Sequence, residues 1–170
     1  MPRGVKTALT LTALVALVVV GGMWGWAAFT EPFPQRSAQT TACTDTTLAA
    51  GTSLTPEKML VDVFNASDRV GLASRTSEEL TSAGFAVGRA SDAPDGTKVK
   101  VAEIWTTDPQ GPEAKLLRSY LGKRARITNA EPLDDGVTLV LGPKFKQVTK
   151  GKKSLELAED TTVCVPPAPE

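Results

Sequence analysis

From Thr7 to Thr30 the chain runs through 24 positions without a charged residue, directly after Arg3 and Lys6. About 20 apolar residues suffice to carry one helix across a bilayer core. The run TALTLTALVALVVVGGMWGWAAFT meets that length, and its Thr and Gly residues do not block insertion. Trp24 and Trp26 lie near its far end, where amphipathic rings favour the membrane–water boundary. Glu31 and Pro32 close it. The basic flank is N-terminal, so the positive-inside bias keeps residues 1–6 in the cytoplasm and sends the chain after 30 outward. The rival reading is a cleaved signal peptide. Its apolar region would ordinarily span roughly 7–15 residues, and a cut after Ala28 would put bulky Trp26 at the −3 position. The expectation is an uncleaved single-pass anchor in the plasma membrane over 7–30.

Charge then narrows what the outward part can do. The chain carries 19 basic and 19 acidic residues, and without Arg3 and Lys6 the outward part holds 17 basic against 19 acidic. That balance speaks against a nucleic-acid binder, which usually shows a basic excess. It also speaks against an electrostatic grip on anionic lipid or anionic wall polymer as the main activity. There is no histidine, which removes Ser–His–Asp and Cys–His catalysis and His-based zinc sites. No metal and no cofactor are expected.

Two cysteines remain, Cys43 and Cys164. In an exported chain an even count usually means a disulfide. Such a bond would tie the two ends of the folded unit together. Two free or intermolecular thiols are the alternative, and the spacing excludes a CxxC redox pair.

Along the chain, residues 31–58 read as a tether rich in Thr, Ser, Ala and Pro. A folded unit is expected over 59–148, followed by a tail, 149–170, tied back through Cys164. Leu60, Val61, Val63 and Phe64 form a nearly continuous apolar run, as in a strand buried on both faces. A helix follows, with Leu72, Ala73, Thr76, Leu80 and Ala83 on one face, Ser67 or Asp68 as N-cap, and Gly84 as its stop. Strands are predicted over Phe85–Ala90, Lys98–Thr106 and Val137–Gly142. Between the last two lies a second helix with Pro112 in its first turn and Gly122 at its end. The segment TTVCV suits a short final strand. The predicted fold is α/β: a two-layer sandwich of two helices on a sheet of about four strands.

The stretch VDVFNASDRVGLASRTSEELTSAGFAVG resembles the LytR C-terminal domain. The matching places are Asn65, Ala66, Ser67, Gly71, Leu72, Ala73, Leu80, Gly84 and Phe85. GPEAKLLRSYLG is similar to that family's second helix and VTLVLGPKF to its closing strand, so the likeness spans Leu60 to Phe145. Pro143 and Lys144 stand where members often carry an acidic residue. In larger relatives this domain follows a catalytic domain that transfers glycopolymers to peptidoglycan, and the sequence after the anchor leaves no room for one. An anchor with a lone domain resembles small actinobacterial envelope proteins. The resemblance implies a role in envelope integrity without a defined reaction, with a cell-wall polymer or an envelope protein as partner.

The loop after the first strand is the candidate ligand site. Ligands in α/β sheets tend to bind beyond strand C-terminal ends, where helix N–H groups are free. Asn65 brings a donor and an acceptor, Ser67 a hydroxyl and Arg69 a charge. The structural alternative is that Asn65 closes the turn and Ser67 caps. Asn65 is expected to be mainly structural, with the Arg69 head reaching outward as the contact. Trp105 could stack on a sugar or fill the core edge. Asp134 with Asp135, and Asp92 with Asp95, are paired carboxylates of the kind glycosidases use, but on turns they are read as solvated. The Lys144–Lys153 run is read as a solvated tail. A non-catalytic binding or scaffold module is favoured over a hydrolase or transferase acting on wall glycans.

Overall fold

The computed structural model describes residues 14–19 and 43–166. Residues 14–19 are helical, with Leu14, Leu17 and Val18 exposed. Among the described residues no helix is long and apolar enough to cross a membrane. Most of the uncharged run, residues 1–6, the first part of the tether and the last four residues lie outside the described part.

Among the described residues, nine strands, two α-helices and a 3-10 turn at Pro56–Lys58 build the larger unit. The strands are β1 (Thr44–Leu48), β2 (Ser53–Leu54), β3 (Leu60–Asn65), β4 (Ala86–Asp92), β5 (Ala102–Thr106), β6 (Arg126–Asn129), β7 (Val137–Leu141), β8 (Leu155–Glu156) and β9 (Thr161–Val165). The helices are α1 (Leu72–Ser82) and α2 (Pro112–Leu121). The main sheet has five strands in the order β4-β3-β7-β5-β6. It comprises two parallel strand–helix–strand units, β3-α1-β4 and β5-α2-β6, joined through β7. β7 runs parallel to β3 and antiparallel to β5. All six residues of β3 and all five of β7 are buried, as the run of apolar residues at β3 predicts.

Both helices cover one face of this sheet. Val61 and Val63 of β3, Ala102 and Ile104 of β5, and Leu139 and Leu141 of β7 meet Leu72, Leu80, Leu116 and Leu117 there. The opposite face carries a smaller cluster of Phe64, Val99 and Val140, with Trp105, Leu133, Ala66 and Ala93 against it. Helix ends follow the sequence signals. After α1, Phe85 N–H bonds Leu80 C=O and Gly84 N–H bonds Thr81 C=O. This reversal places Gly84 at φ 98°, where a side chain would be strained. Pro112 opens α2, and Gly122 ends it.

The structure departs from expectation in five places. The sheet has five strands rather than about four, because Arg126–Asn129 pairs with β5 as an edge strand. It is short and bears exposed charge, so no local pattern marks it. Lys98–Val101 is not strand. Val99 is buried while Lys98 and Lys100 are exposed, so the alternation reports burial and not pairing. Residues 44–58 are not tether. β1 pairs with β9, β2 with β8, and Leu54, Pro56 and Met59 are buried. The segment before the final strand is likewise part of the fold, through β8 and buried Leu157, while TTVCV forms β9 as expected, with Val163 buried. The lysine-rich stretch is bolted to α2: Thr149 N–H donates to Tyr120 C=O at 2.7 Å and Lys152 N–H to Ser119 Oγ at 3.0 Å. Cys43 and Cys164 form a disulfide with Cα atoms 5.2 Å apart, linking the β1 and β9 ends.

Candidate functional site

β3 ends at Asn65 in the middle of the sheet, and its pairing continues one step as Ala66 N–H donates to Leu141 C=O. Asn65 is 8% exposed, so each of its polar atoms needs a partner within the protein. Its side-chain oxygen accepts the Ser67 N–H at 3.1 Å and the Ser67 hydroxyl at 2.7 Å. Its amide donates to Arg69 C=O at 3.1 Å and to Asp92 Oδ1 at 3.2 Å. Ser67 Oγ in turn accepts the Arg69 N–H at 3.3 Å. Asn65 thus closes the loop and ties it to the end of β4.

Three of the four candidate residues, Asn65, Ser67 and Arg69, are therefore brought together, but their polar groups are turned inward. Ser67 does not cap α1, whose N-cap is Gly71 with no side-chain bond. The Arg69 guanidinium donates to the Phe145 carbonyl, which joins the loop to the chain after β7 instead of leaving the head free. What the loop does present is Asp68, exposed, and Val70, which is 94% exposed.

Trp105 lies on another part of the molecule. Its register partners are Thr138 on β7 and Thr128 on β6, on the sheet face away from the helices. It is half-buried against the Phe64–Val140 cluster, and its Nε1–H points to Glu103 Oε2 at 3.4 Å. It packs at the edge of the core and does not join the Asn65 loop. Asp134 pairs with Arg89 at 3.0 Å, and Asp92 accepts a hydrogen bond from the Asn65 amide.

Sequence reading passed over Asp62, the one charged residue in the apolar run of β3. It is 2% exposed. One carboxylate oxygen accepts the Arg89 N–H and the other accepts the Gly136 N–H at 3.1 Å. Burial pushes its carboxyl above the usual carboxylate range, and these two backbone N–H groups pull it back. Gly136 is required here, since a Cβ would stand 2.6 Å from Leu60 O and 2.9 Å from the carboxylate. Asp62 fastens β4 and the loop before β7 to β3. A charge interrupting a buried run was the signal for it. Among the described residues no group of three or more acidic or Cys side chains could hold a metal ion.

The chain is similar to the soluble domain of a conserved hypothetical secreted protein from Mycobacterium marinum. The identity is 24% and the TM-score 0.50, over 67% of this chain and 73% of that one, a likeness of fold. No curated protein matches the chain. The family model described as LytR cell envelope-related transcriptional attenuator matches residues 58–145. That span runs from the turn before β3 to the residue whose carbonyl receives Arg69, so it contains the whole five-stranded sheet, both helices and the Asn65 loop. With its signature residues closing that loop from within, the chain belongs to the LytR C-terminal domain family.

Proposed function

We propose that this protein is a membrane-anchored module facing the cell wall, which maintains envelope integrity by holding a wall component or an envelope-assembly protein and performs no catalysis. Family membership over residues 58–145 carries the reading. The disulfide supports an oxidising, extracytoplasmic setting, and the relative from M. marinum is described as secreted. The uncharged run supports the anchor, and the outward-facing apolar side chains of 14–19 suit a helix whose solvent is lipid. The inward bonding of Asn65, Ser67 and Arg69 supports a structural loop over a reaction centre.

Two experiments test this. A reporter active only in the cytoplasm, fused after Glu170, is expected to be silent, and an active fusion would overturn the orientation. Full-length protein in neutral detergent is expected to co-sediment with cell-wall fragments or to retain a defined envelope protein through washing. Release of glycan fragments or polymer transfer by the purified protein would replace this reading with an enzymatic one.

A further inference from the structure

The outward part of the chain is slightly acidic on average, yet its cations are not evenly spread. A cleft of about 780 Å³ is lined by Lys98, Lys100, Arg118, Lys123, Arg124 and Arg126, with Glu103 as the one carboxylate. A second cleft of about 430 Å³ shares Arg118 and Lys123, adds Lys115 and Lys152, and has no carboxylate. The two clefts therefore adjoin and form one basic track around the C-terminal end of α2. All eight of these cations are exposed. Among the described residues the ion pair found is Arg89–Asp134, elsewhere on the surface.

The backbone beneath this track is fixed. Buried Val99 turns its neighbours Lys98 and Lys100 outward, and the Lys100 carbonyl accepts the Lys144 N–H at 3.1 Å. Lys152 is held on both sides, its N–H by Ser119 Oγ at 3.0 Å and its C=O by the Tyr120 hydroxyl at 2.8 Å. Arg126 stands on the edge strand β6. Charges on an edge strand also guard against edge-to-edge pairing. That role explains Arg126, but it does not require Lys115, Arg118 and Lys152, which lie on α2 and on the segment strapped across it. Gathered exposed cations raise the local positive potential and draw anions to it.

We propose that this track binds a linear anionic glycan, a flexible chain bearing repeated phosphate or carboxylate groups; the proposal rests on the wall-facing reading above and names the ligand class for it. Arg and Lys heads suit both groups, Arg through its two-pronged donor geometry. Two adjoining clefts suit an extended chain better than a single ion. Neither cleft is lined by an aromatic residue, so the base stacking on which single-stranded nucleic-acid binding relies is missing.

The test uses full-length protein in neutral detergent micelles. The probes are oligogalacturonate for carboxylates, inorganic polyphosphate for phosphates, neutral dextran, oligothymidylate of equal charge, and vesicles with and without phosphatidylglycerol. Binding to either of the first two, and not to dextran, is expected. Six contacts would make affinity fall on the order of a few hundred-fold between about 50 and 200 mM salt. The double substitutions Arg124→Glu/Arg126→Glu and Lys115→Glu/Lys152→Glu should each weaken binding at least about tenfold. Lys144→Glu/Lys146→Glu, basic but outside both clefts, should not. Unaltered thermal midpoints in all three variants show that each is folded. Equal weakening by the control pair, equal affinity for oligothymidylate, or binding to anionic vesicles without binding to either polymer would overturn the assignment. If Arg124→Glu/Arg126→Glu protein retains wall fragments as well as the parent does, the anionic-glycan site fails while the envelope reading stands. If the parent itself retains neither wall fragments nor a defined envelope protein, the envelope reading fails separately.

Discussion

The side-chain oxygen of Asn65 accepts two hydrogen bonds from Ser67, 3.1 Å from its N–H and 2.7 Å from its hydroxyl. Every polar atom of this buried amide is thereby engaged, because its nitrogen serves Arg69 C=O and Asp92. Asn65→Ala should lower the stability of the domain by about 1–3 kcal/mol, since the buried partners are left unpaired. Asn65→Asp keeps the acceptor but removes the donor and sets a carboxylate facing Asp92, so it should not rescue. Val70→Ser, at an exposed position, should shift stability by no more than about 0.5 kcal/mol. Urea titrations of the three variants check this, and an unchanged midpoint for Asn65→Ala would remove the loop-closing role.

Arg69→Ala separates the two readings of its side chain. A guanidinium bonded to the Phe145 carbonyl holds the segment after β7 against the loop. Its loss should cost about 1–2 kcal/mol and raise amide exchange around Phe145. A side chain acting only as an outward contact would leave both quantities unchanged.

β7 joins two units that would otherwise be separate. Leu139 is fully buried and has Val63 of β3 as register partner on one side and Ile104 of β5 on the other. Leu139→Ala should cost about 2–5 kcal/mol through lost burial and a cavity. Both units should lose exchange protection together. Loss confined to the β5-α2-β6 unit would show that β7 belongs to β3 alone.

How much of this was legible in the sequence depended on range. β3 announced itself because a strand buried on both faces draws a dense local apolar set, here Leu60, Val61, Val63 and Phe64, and Gly84 and Gly122 marked helix ends by local backbone demands. The disulfide followed from a count. β9 was legible in TTVCV, but its partner β1 and the pair β2 and β8 were hidden, because each is stabilised by a partner about a hundred residues away and short polar strands carry no period of their own. Asn65 could be named from its place at a strand end. Its four bonds could not, since Asp92 is brought beside it only by α1 returning the chain. The basic track was hidden by arithmetic: net charge averages over a surface, whereas Lys98, Arg118 and Lys152 meet only through the fold.

Replacing Cys43 and Cys164 together by Ala should weaken the fold without abolishing it. The bond closes a sequence separation of 121 residues, for which the chain-entropy estimate is about 4–5 kcal/mol and measured gains are often smaller. The buried sheet and helices do not depend on it for their contacts. Exchange protection should be lost first over β1 and β9, whose pairing the bond adjoins. In the parent, thiol labelling under non-reducing denaturing conditions should find no free cysteine, and full labelling would refute the bond.

Glu113 gives the fold a pH dependence with a defined sign. It lies in the first turn of α2, and burial raises its carboxyl from 4.5 to about 7, with Asp108 and Asp45 adding repulsion. Between those values the folded chain holds a proton that the unfolded chain has released. Its contribution to stability is therefore fully present below about 4.5 and is lost as pH rises through about 7. Asp62, also raised, acts in the same direction. The thermal midpoint should thus fall between about pH 5 and pH 8. Glu113→Gln keeps the shape and cannot ionise, so it should flatten that slope and be more stable than the parent at the alkaline end. Asp45→Asn removes one repelling neighbour and should move the slope to lower pH while leaving it in place. A parent and a Glu113→Gln variant with superimposable profiles would show that Glu113 ionises freely in the folded state.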